Sequence, residues 1–353
     1  MTTYRAAIVG LSGIAADPSP SGPDPVLGEM MPHSHVAAYA HIPNTTVVGV
    51  CDLVPSLIER FGEEWGSVFP EAHTYTDYRE MLANEQIDLL SVVTPDNRHP
   101  QIVVDAVEAG VKGIFCEKPI ATTLADADRI IAACAQHNVP LLIDHTRRWY
   151  PEYLEARRLV RAGAIGPLRR IVATLSGPRA MLFRNGTHLI DATCLFAESE
   201  PLWVSAELDD EQRDYGPRYA GDGGRDPATD PGGSAVIHFQ NGVRAFVNAS
   251  KGTPMNFELD LLGATGRIRI GTHVGEIWRF LEDGRPAISA LRAPHTTRGD
   301  MVAAIEELIG LVEHGGRGSS TGEDGRRVLS ILLAILQSST ASGSRITFPV
   351  SDR

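Results

Sequence analysis

Gly113-Ile114-Phe115-Cys116-Glu117-Lys118-Pro119 is a short apolar run that stops at an acid, a base and a proline. Ile114 to Cys116 reads as a buried strand. Pro119, with φ fixed and no N–H to donate, ends it. In an open parallel sheet the carboxyl ends of the strands form the ligand crevice, so a strand that delivers Glu-Lys there places charge where substrates sit. An ordinary charged strand end has the same look, so the meaning of the stretch depends on its neighbours.

Those neighbours alternate. On the N-terminal side, 87–93 reads as a strand that ends in Thr94-Pro95-Asp96-Asn97-Arg98-His99. Ile102, Val103, Ala106 and Val107 then form one helical face, closed by Gly110. On the C-terminal side, Leu124, Ala127, Ile130, Ile131 and Cys134 share a helical face, and Leu141-Leu142-Ile143 makes the next strand. Ala6-Ala7-Ile8-Val9 and Val47-Val48-Gly49-Val50-Cys51 are two earlier strand runs. Strands and helices alternating over about 145 residues predict an α/β Rossmann domain, a right-handed doubly wound parallel sheet, over 1–147.

The rhythm changes after Pro151. One helix, 152–161, is stopped by Gly163, and strand-like runs follow at 168–176, 202–208, 234–240, 243–249, 257–262, 266–270 and 276–281. Asn241-Gly242 between two of them is a two-residue hairpin signal. Helices at 301–313 and 323–338 can cover one face of the resulting sheet. The expectation is an α+β C-terminal domain, 148–353, with a large, mainly antiparallel sheet and a substrate crevice between the domains. A sheet face left bare by these helices predicts burial against another copy, as a homodimer or homotetramer.

Composition narrows the function classes. The net charge of −12 argues against nucleic-acid or anionic-membrane partners, which need a clustered basic face. Cys51, Cys116, Cys134 and Cys194 stand singly among apolar neighbours, which fits buried thiols in a reducing compartment. With no apolar leader and no run long enough to span a bilayer, a cytoplasmic location is expected.

The first strand run leads into Gly10-Leu11-Ser12-Gly13-Ile14-Ala15, which looks like the turn that cradles a dinucleotide pyrophosphate, although Ser12 stands where a second glycine is usual. Asp52 ends the second strand. An acid there accepts hydrogen bonds from the ribose 2′-OH and repels a 2′-phosphate, favouring NAD over NADP. The excess spacing between Gly10 and Asp52 comes from 17–32, which carries five prolines and two glycines and reads as an inserted loop. His33 and His35 in that region read as loop decoration, and no metal is expected. The stretch 209–231, with seven acids, three arginines and four glycines, reads either as a solvated loop or as a lid or subunit arm.

Phe183-Arg184-Asn185-Gly186-Thr187-His188-Leu189-Ile190-Asp191 carries the densest polar chemistry of the second half. His188 and Asp191 are three apart and share a face if this is a helical turn. A histidine is suited to take a proton near neutral pH. A structural histidine at a helix start is the competing reading.

Taken together, the Gly10–Ala15 turn, Asp52, Thr94-Pro95 with His99, Glu117-Lys118-Pro119, Arg147-Arg148-Trp149 with Pro151, and Gly186-x-His188-x-x-Asp191 resemble the glucose–fructose oxidoreductase/inositol dehydrogenase (Gfo/Idh/MocA) family. The resemblance implies NAD(P)-dependent oxidation of a sugar or cyclitol hydroxyl, or its reverse. It implies Lys118 and His188 as cation and base, Asp191 on a neighbouring hydroxyl, and Gly10, Ser12, Gly13, Ile14, Asp52, Thr94, Pro95, His99, Glu117 and Lys118 around the cofactor. Arg147 or Arg148 would contact cofactor or substrate. Many such dehydrogenases have an aspartate four residues before the histidine; here Arg184 stands there, beside Asn185. A cation at that point suits a carboxylated sugar; the alternative is a re-aligned loop in which Asn185 points inward. Two other functions are compatible with the resemblance: a redox-neutral glycosidase that keeps NAD bound, and a dinucleotide-sensing protein without chemistry.

Overall fold

A computed structural model describes residues 3–18, 32–177, 182–209, 231–272, 274–281, 283–294 and 299–351. Most of the insertion at 17–32 and nearly all of 209–231 lie outside the described residues. The chain divides into two compact units. One is Met1–Ala121 with Ala125–Trp149 and Thr296–Gly325; the other is Thr122–Leu124 with Tyr150–His295 and Arg326–Arg353.

The first unit alternates β1 (Tyr4–Val9), α1 (His35–His41), β2 (Thr45–Cys51), α2 (Pro55–Trp65), β3 (His73–Tyr75), α3 (Tyr78–Asn84), β4 (Leu89–Val92), α4 (His99–Glu108), β5 (Gly113–Cys116), α5 (Leu124–His137) and β6 (Leu141–Ile143). The strands are all parallel, in the order β3-β2-β1-β4-β5-β6. That order is the dinucleotide-binding one, with the crossover beside β1. β4 and β5 are buried along their whole length, as strands covered on both faces must be.

After α6 (Pro151–Arg161) the second unit runs through β7 (Leu168–Gly177), α7 (Gly186–Ala197), β8 (Pro201–Leu208), β9 (Gly233–Phe239), β10 (Arg244–Lys251), β11 (Asn256–Gly263), β12 (Gly266–Gly271), β13 (Val274–Phe280) and β14 (Pro286–Ala290). Then come α8 (Asp300–His314), α9 (Gly322–Thr340) and β15 (Ile346–Thr347). The nine strands form one sheet, β14-β13-β12-β11-β7-β10-β9-β8-β15. Every pairing is antiparallel except β7 with β10, which is parallel. β10 carries the alternation of a half-covered sheet: Ala245 and Val247 are buried, while Arg244, Phe246 and Asn248 face outward. α6 and α7 pack on the covered face.

The short β3, α3, β14 and β15 were not foreseen, being too brief or too exposed to leave a periodic pattern. α8 is the larger surprise of connectivity. It follows the second sheet in sequence but packs in the first unit, where Met301, Ile305 and Leu308 join Ile8, Phe115 and Leu142 in one core. Gly113 permits this, since a Cβ there would stand 2.8 Å from Val312 Cγ2 and 3.2 Å from Leu308 Cδ1.

Candidate active site

The register of the first sheet sets up a row. Val9 pairs with Cys51 and with Val92, Val92 with Cys116, and Cys116 with Ile143. The residues that step off the strands at their carboxyl ends are therefore Gly10, Asp52, Val93, Glu117 and Asp144, in one line along the ligand edge of the sheet.

Gly10 is there for want of a side chain. Its φ is +93°, and a Cβ would lie 2.3 Å from the carbonyl oxygen of Val93. Gly13 also has a positive φ, +55°, but no atom lies within 4 Å of where its Cβ would stand. It opens a single 3-10 turn, Gly13–Ala15, with Ser12 before it and Ile14 turned outward, 46% exposed. The turn after β1 thus leads into a single helical turn and not directly into a long helix. α1 starts only at His35, capped by Ser34 Oγ accepting from the Ala37 N–H at 3.2 Å. The start of the insertion is pinned by α2, with Trp65 Nε1–H on the Ala16 carbonyl and Arg60 on Asp17. Asp52 ties the row together: Oδ2 accepts from the Leu11 N–H at 2.8 Å and Oδ1 from the Val54 N–H at 2.9 Å. A carboxylate has about four lone-pair sites, so it keeps capacity for a ribose hydroxyl.

Beyond β4, Thr94 is half-buried and its Oγ1 has no hydrogen-bond partner among the described residues, while Pro95 is exposed. An open cradle at Gly13, an acid at Asp52 and an orphan hydroxyl at Thr94 together fit a dinucleotide along this edge. His99 is fully buried, with Nδ1 3.1 Å from the Pro119 carbonyl and Nε2 2.9 Å from the Thr94 carbonyl. It clamps the segments after β4 and β5 to each other. Burial holds its pKa below the ordinary histidine value against those backbone contacts.

Glu117 and Lys118 diverge. The Lys118 side chain is half-buried, whereas Glu117 is 8% exposed and points into the fold. Glu117 Oε2 accepts from the Lys118 backbone N–H at 3.2 Å, and Oε1 lies 3.5 Å from His35 Nε2. His35 Nδ1 lies 3.0 Å from Ser91 Oγ, which lies 3.0 Å from the Tyr39 hydroxyl. Asp144 follows β6, the strand beside β5, and its carboxyl lies close to that of Glu117. His35 is therefore no loop decoration. It opens α1, is fully buried, and joins Glu117 and Asp144 in a set whose ligand atoms lie within 4.8 Å of one another. His33 is exposed. Such a set could share a proton or a cation, but the Lys118 charge acts on both carboxyls and opposes a dication.

Arg147 is half-buried and donates to Thr146 Oγ1 at 3.1 Å. Arg148 is 5% exposed and turns inward, donating to the Ser319 carbonyl at 2.6 Å and to Asp324 Oδ2 at 3.1 Å. A buried guanidinium needs such partners, and this one serves the packing of the first unit.

In the second unit the Phe183–Asp191 stretch becomes the entry and first turns of α7. Asn185 is the N-cap residue, and its carbonyl accepts from the His188 N–H at 3.0 Å. His188 and Asp191 do share one helix, three residues apart. Arg184, Asn185 and His188 are half-buried, and Asp191 is fully buried.

A family model described as "Oxidoreductase family, NAD-binding Rossmann fold" matches residues 26–145, and the GFO/IDH/MocA C-terminal domain matches 153–269. A D-apiose dehydrogenase of Paraburkholderia graminis is 26% identical over 330 residues, covering 85% of this chain and 83% of that protein. An inositol 2-dehydrogenase of Salmonella typhimurium is 26% identical over 166 residues, 46% of this chain and 43% of its own. The crystal structure of an oxidoreductase domain protein from Kribbella flavida superposes with a TM-score of 0.80 at 19% identity, covering 99% of this chain and all of the other.

Proposed function

The chain belongs to the GFO/IDH/MocA family of NAD-binding oxidoreductases, and from that premise we propose that it oxidises a hydroxyl, or reduces a ketone, of a sugar, sugar acid or cyclitol. The observation that carries the reading is Lys118, which directly follows Glu117 at the carboxyl edge of the parallel sheet, where Gly10 and Asp52 also step off their strands. The names of the D-apiose and inositol relatives support the substrate class.

Gly10, Ser12, Gly13 and Ile14 would hold the pyrophosphate, and Asp52 the adenosine ribose, with NAD favoured over NADP. Thr94, Pro95, His99 and Glu117 would shape the nicotinamide end. When bound, the nicotinamide takes up or returns a hydride. A hydroxyl that loses hydride from carbon must also lose its proton, and His188 is the group suited to take it. Lys118 stabilises the negative charge that develops on the oxygen and can share its proton. Asp191 would hold a neighbouring hydroxyl, and Arg147 would contact cofactor or substrate. Arg184 and Asn185 would recognise the rest of the substrate, with Arg184 suited to a carboxylate.

The second sheet supports assembly with a second copy. Phe246 and Val172, 42% and 37% exposed, are register partners on its outward face. They continue along one row to Asp260, Arg269 and Glu276, where Arg269 pairs with Glu258 and Glu276. An apolar centre with an ion-paired flank suits a self-complementary interface.

The test is a coupled screen of free sugars, sugar acids, cyclitols and glycosides, read at the NADH band. A substrate-dependent signal is expected, lost almost completely in Lys118→Ala and in His188→Ala. Wild-type turnover in both variants would sink the assignment. Release of an aglycone without net NADH would replace it with the redox-neutral glycosidase.

A further inference from the structure

Asp144 follows β6 as Glu117 follows β5, and the pairing of Cys116 with Ile143 sets the two acids side by side across neighbouring strands. Asp144 is 2% exposed, has a carboxyl oxygen within 4.8 Å of ligand atoms of Glu117 and His35, and keeps a buried Oδ1 that has no partner among the described residues. An ionised carboxylate would leave charge on that orphan oxygen, whereas a carboxylic acid leaves only a carbonyl.

We propose that Asp144 is a positioning residue: as the acid beside Glu117 it donates to that carboxylate and fixes it as the counter-charge of Lys118. The proposal rests on the reading of Lys118 as the cation at the reacting oxygen. One arrangement of protons satisfies every donor in the buried chain. The Tyr39 hydroxyl donates to Ser91 Oγ, Ser91 to His35 Nδ1, and His35 Nε2–H to Glu117, which leaves the neighbouring Asp144, as an acid, to donate to Glu117 as well. The charges agree with it. Burial, the Glu117 charge and the Asp300 charge push the Asp144 pKa well up. Burial works against ionisation of Glu117 too, but His35, Lys118 and Asp144 together pull its pKa down. The pair therefore carries one proton and one negative charge, which the Lys118 ammonium balances.

Among the described residues, the charged and titratable groups around this pair include His35 from α1, Asp96 in the turn before α4 and His99 at its start, Cys116 and Lys118 around the end of β5, and Asp300 at the start of α8. Glu117 accepts from His35 and from the Lys118 backbone N–H, and Asp144 is the neighbouring acid that can add a further donor. Removing the donor should let Glu117 take up a proton, and Lys118 should then lose its proton at lower pH. Asp144→Asn keeps an N–H donor for Glu117, whereas Asp144→Leu keeps the volume and loses the donor.

Two measurements decide this without turnover. In infrared spectra of the whole protein at pH 7, wild type should show a buried carboxylic-acid C=O band that Asp144→Asn lacks. In the pH dependence of Lys118 labelling by an amine reagent, followed by mass spectrometry, Asp144→Leu should lower the apparent pKa by about one unit or more and Asp144→Asn should leave it near wild type. With an active substrate, the kcat limb that belongs to Lys118 should move the same way, with the KM for NAD nearly unchanged. Loss of the donor without any shift in the Lys118 profile overturns the proposal, as does the absence of the acid band. So does stoichiometric binding of Zn²⁺ or Mn²⁺ that Asp144→Asn abolishes. Should Asp144→Leu fail to fold, an Asp144→Asn protein that keeps the acid band decides against it. A null substrate screen would refute the dehydrogenase reading while leaving the infrared and labelling results to judge Asp144.

Discussion

Asp52 binds two backbone N–H groups, those of Leu11 and Val54, so it braces the turn it is expected to serve. Asp52→Ala should therefore act twice. It should weaken NAD binding by about tenfold through the loosened turn, and lower the NAD-over-NADP preference by about tenfold or more by removing the repulsion of a 2′-phosphate. Titrating both cofactors by fluorescence separates the effects, and an unchanged ratio would show that discrimination lies elsewhere. The placement of Asp52 and Lys118 after their strands was legible in the sequence, because each follows a short apolar run that reads as a buried strand. His35 was not, because a histidine beside a proline-rich insertion carries no sign of burial. Asp144 had a signal that went unused: it steps off its strand in the same way as Glu117, and parallel pairing makes the two neighbours. The pairing of Arg148 with Asp324 was also hidden, since nothing local announces a partner so far along the chain.

At the level of elements, Gly10 is a tight joint between backbones in the first unit. A methyl group there meets the Val93 carbonyl at 2.3 Å in a backbone conformation that favours glycine. Gly10→Ala should separate β1 from the segment after β4, abolish NAD binding and lower the melting temperature by several degrees in a thermal scan. A variant with the melting curve and NAD affinity of wild type would mean that the turn is softer than its geometry. Long elements with apolar periodicity were readable from sequence, including the alternation of the first half and most strands of the second. Short edge elements such as β15, two residues long, were not, because a pattern needs more residues than they have. The parallel pairing of β7 with β10 was also hidden, since sequence shows a strand's faces but not its neighbours.

For the whole molecule, the outward face of the second sheet predicts the assembly state. Phe246→Glu should lower the mass measured by light scattering to that of one chain, while leaving NAD binding within about twofold, because a lone charge is costly only in a covered apolar patch. An unchanged mass would place the interface elsewhere. The return of α8 makes a second prediction: Leu308→Ala, at a fully buried position against β5, should cost about 2–5 kcal/mol in chemical denaturation. A loss under about 0.5 kcal/mol would show α8 to be a dispensable cover. That return also sets a timetable. The strands of the first sheet are all made once the ribosome passes Ile143, but α8 begins at Asp300, 157 residues later (300 − 143). At about 5–20 residues per second, the nascent sheet waits roughly 8–30 s with the groove over Gly113 bare. The first half of this protein is thus translated early and finished late, and for that interval its apolar surface is open to a chaperone or to another nascent chain.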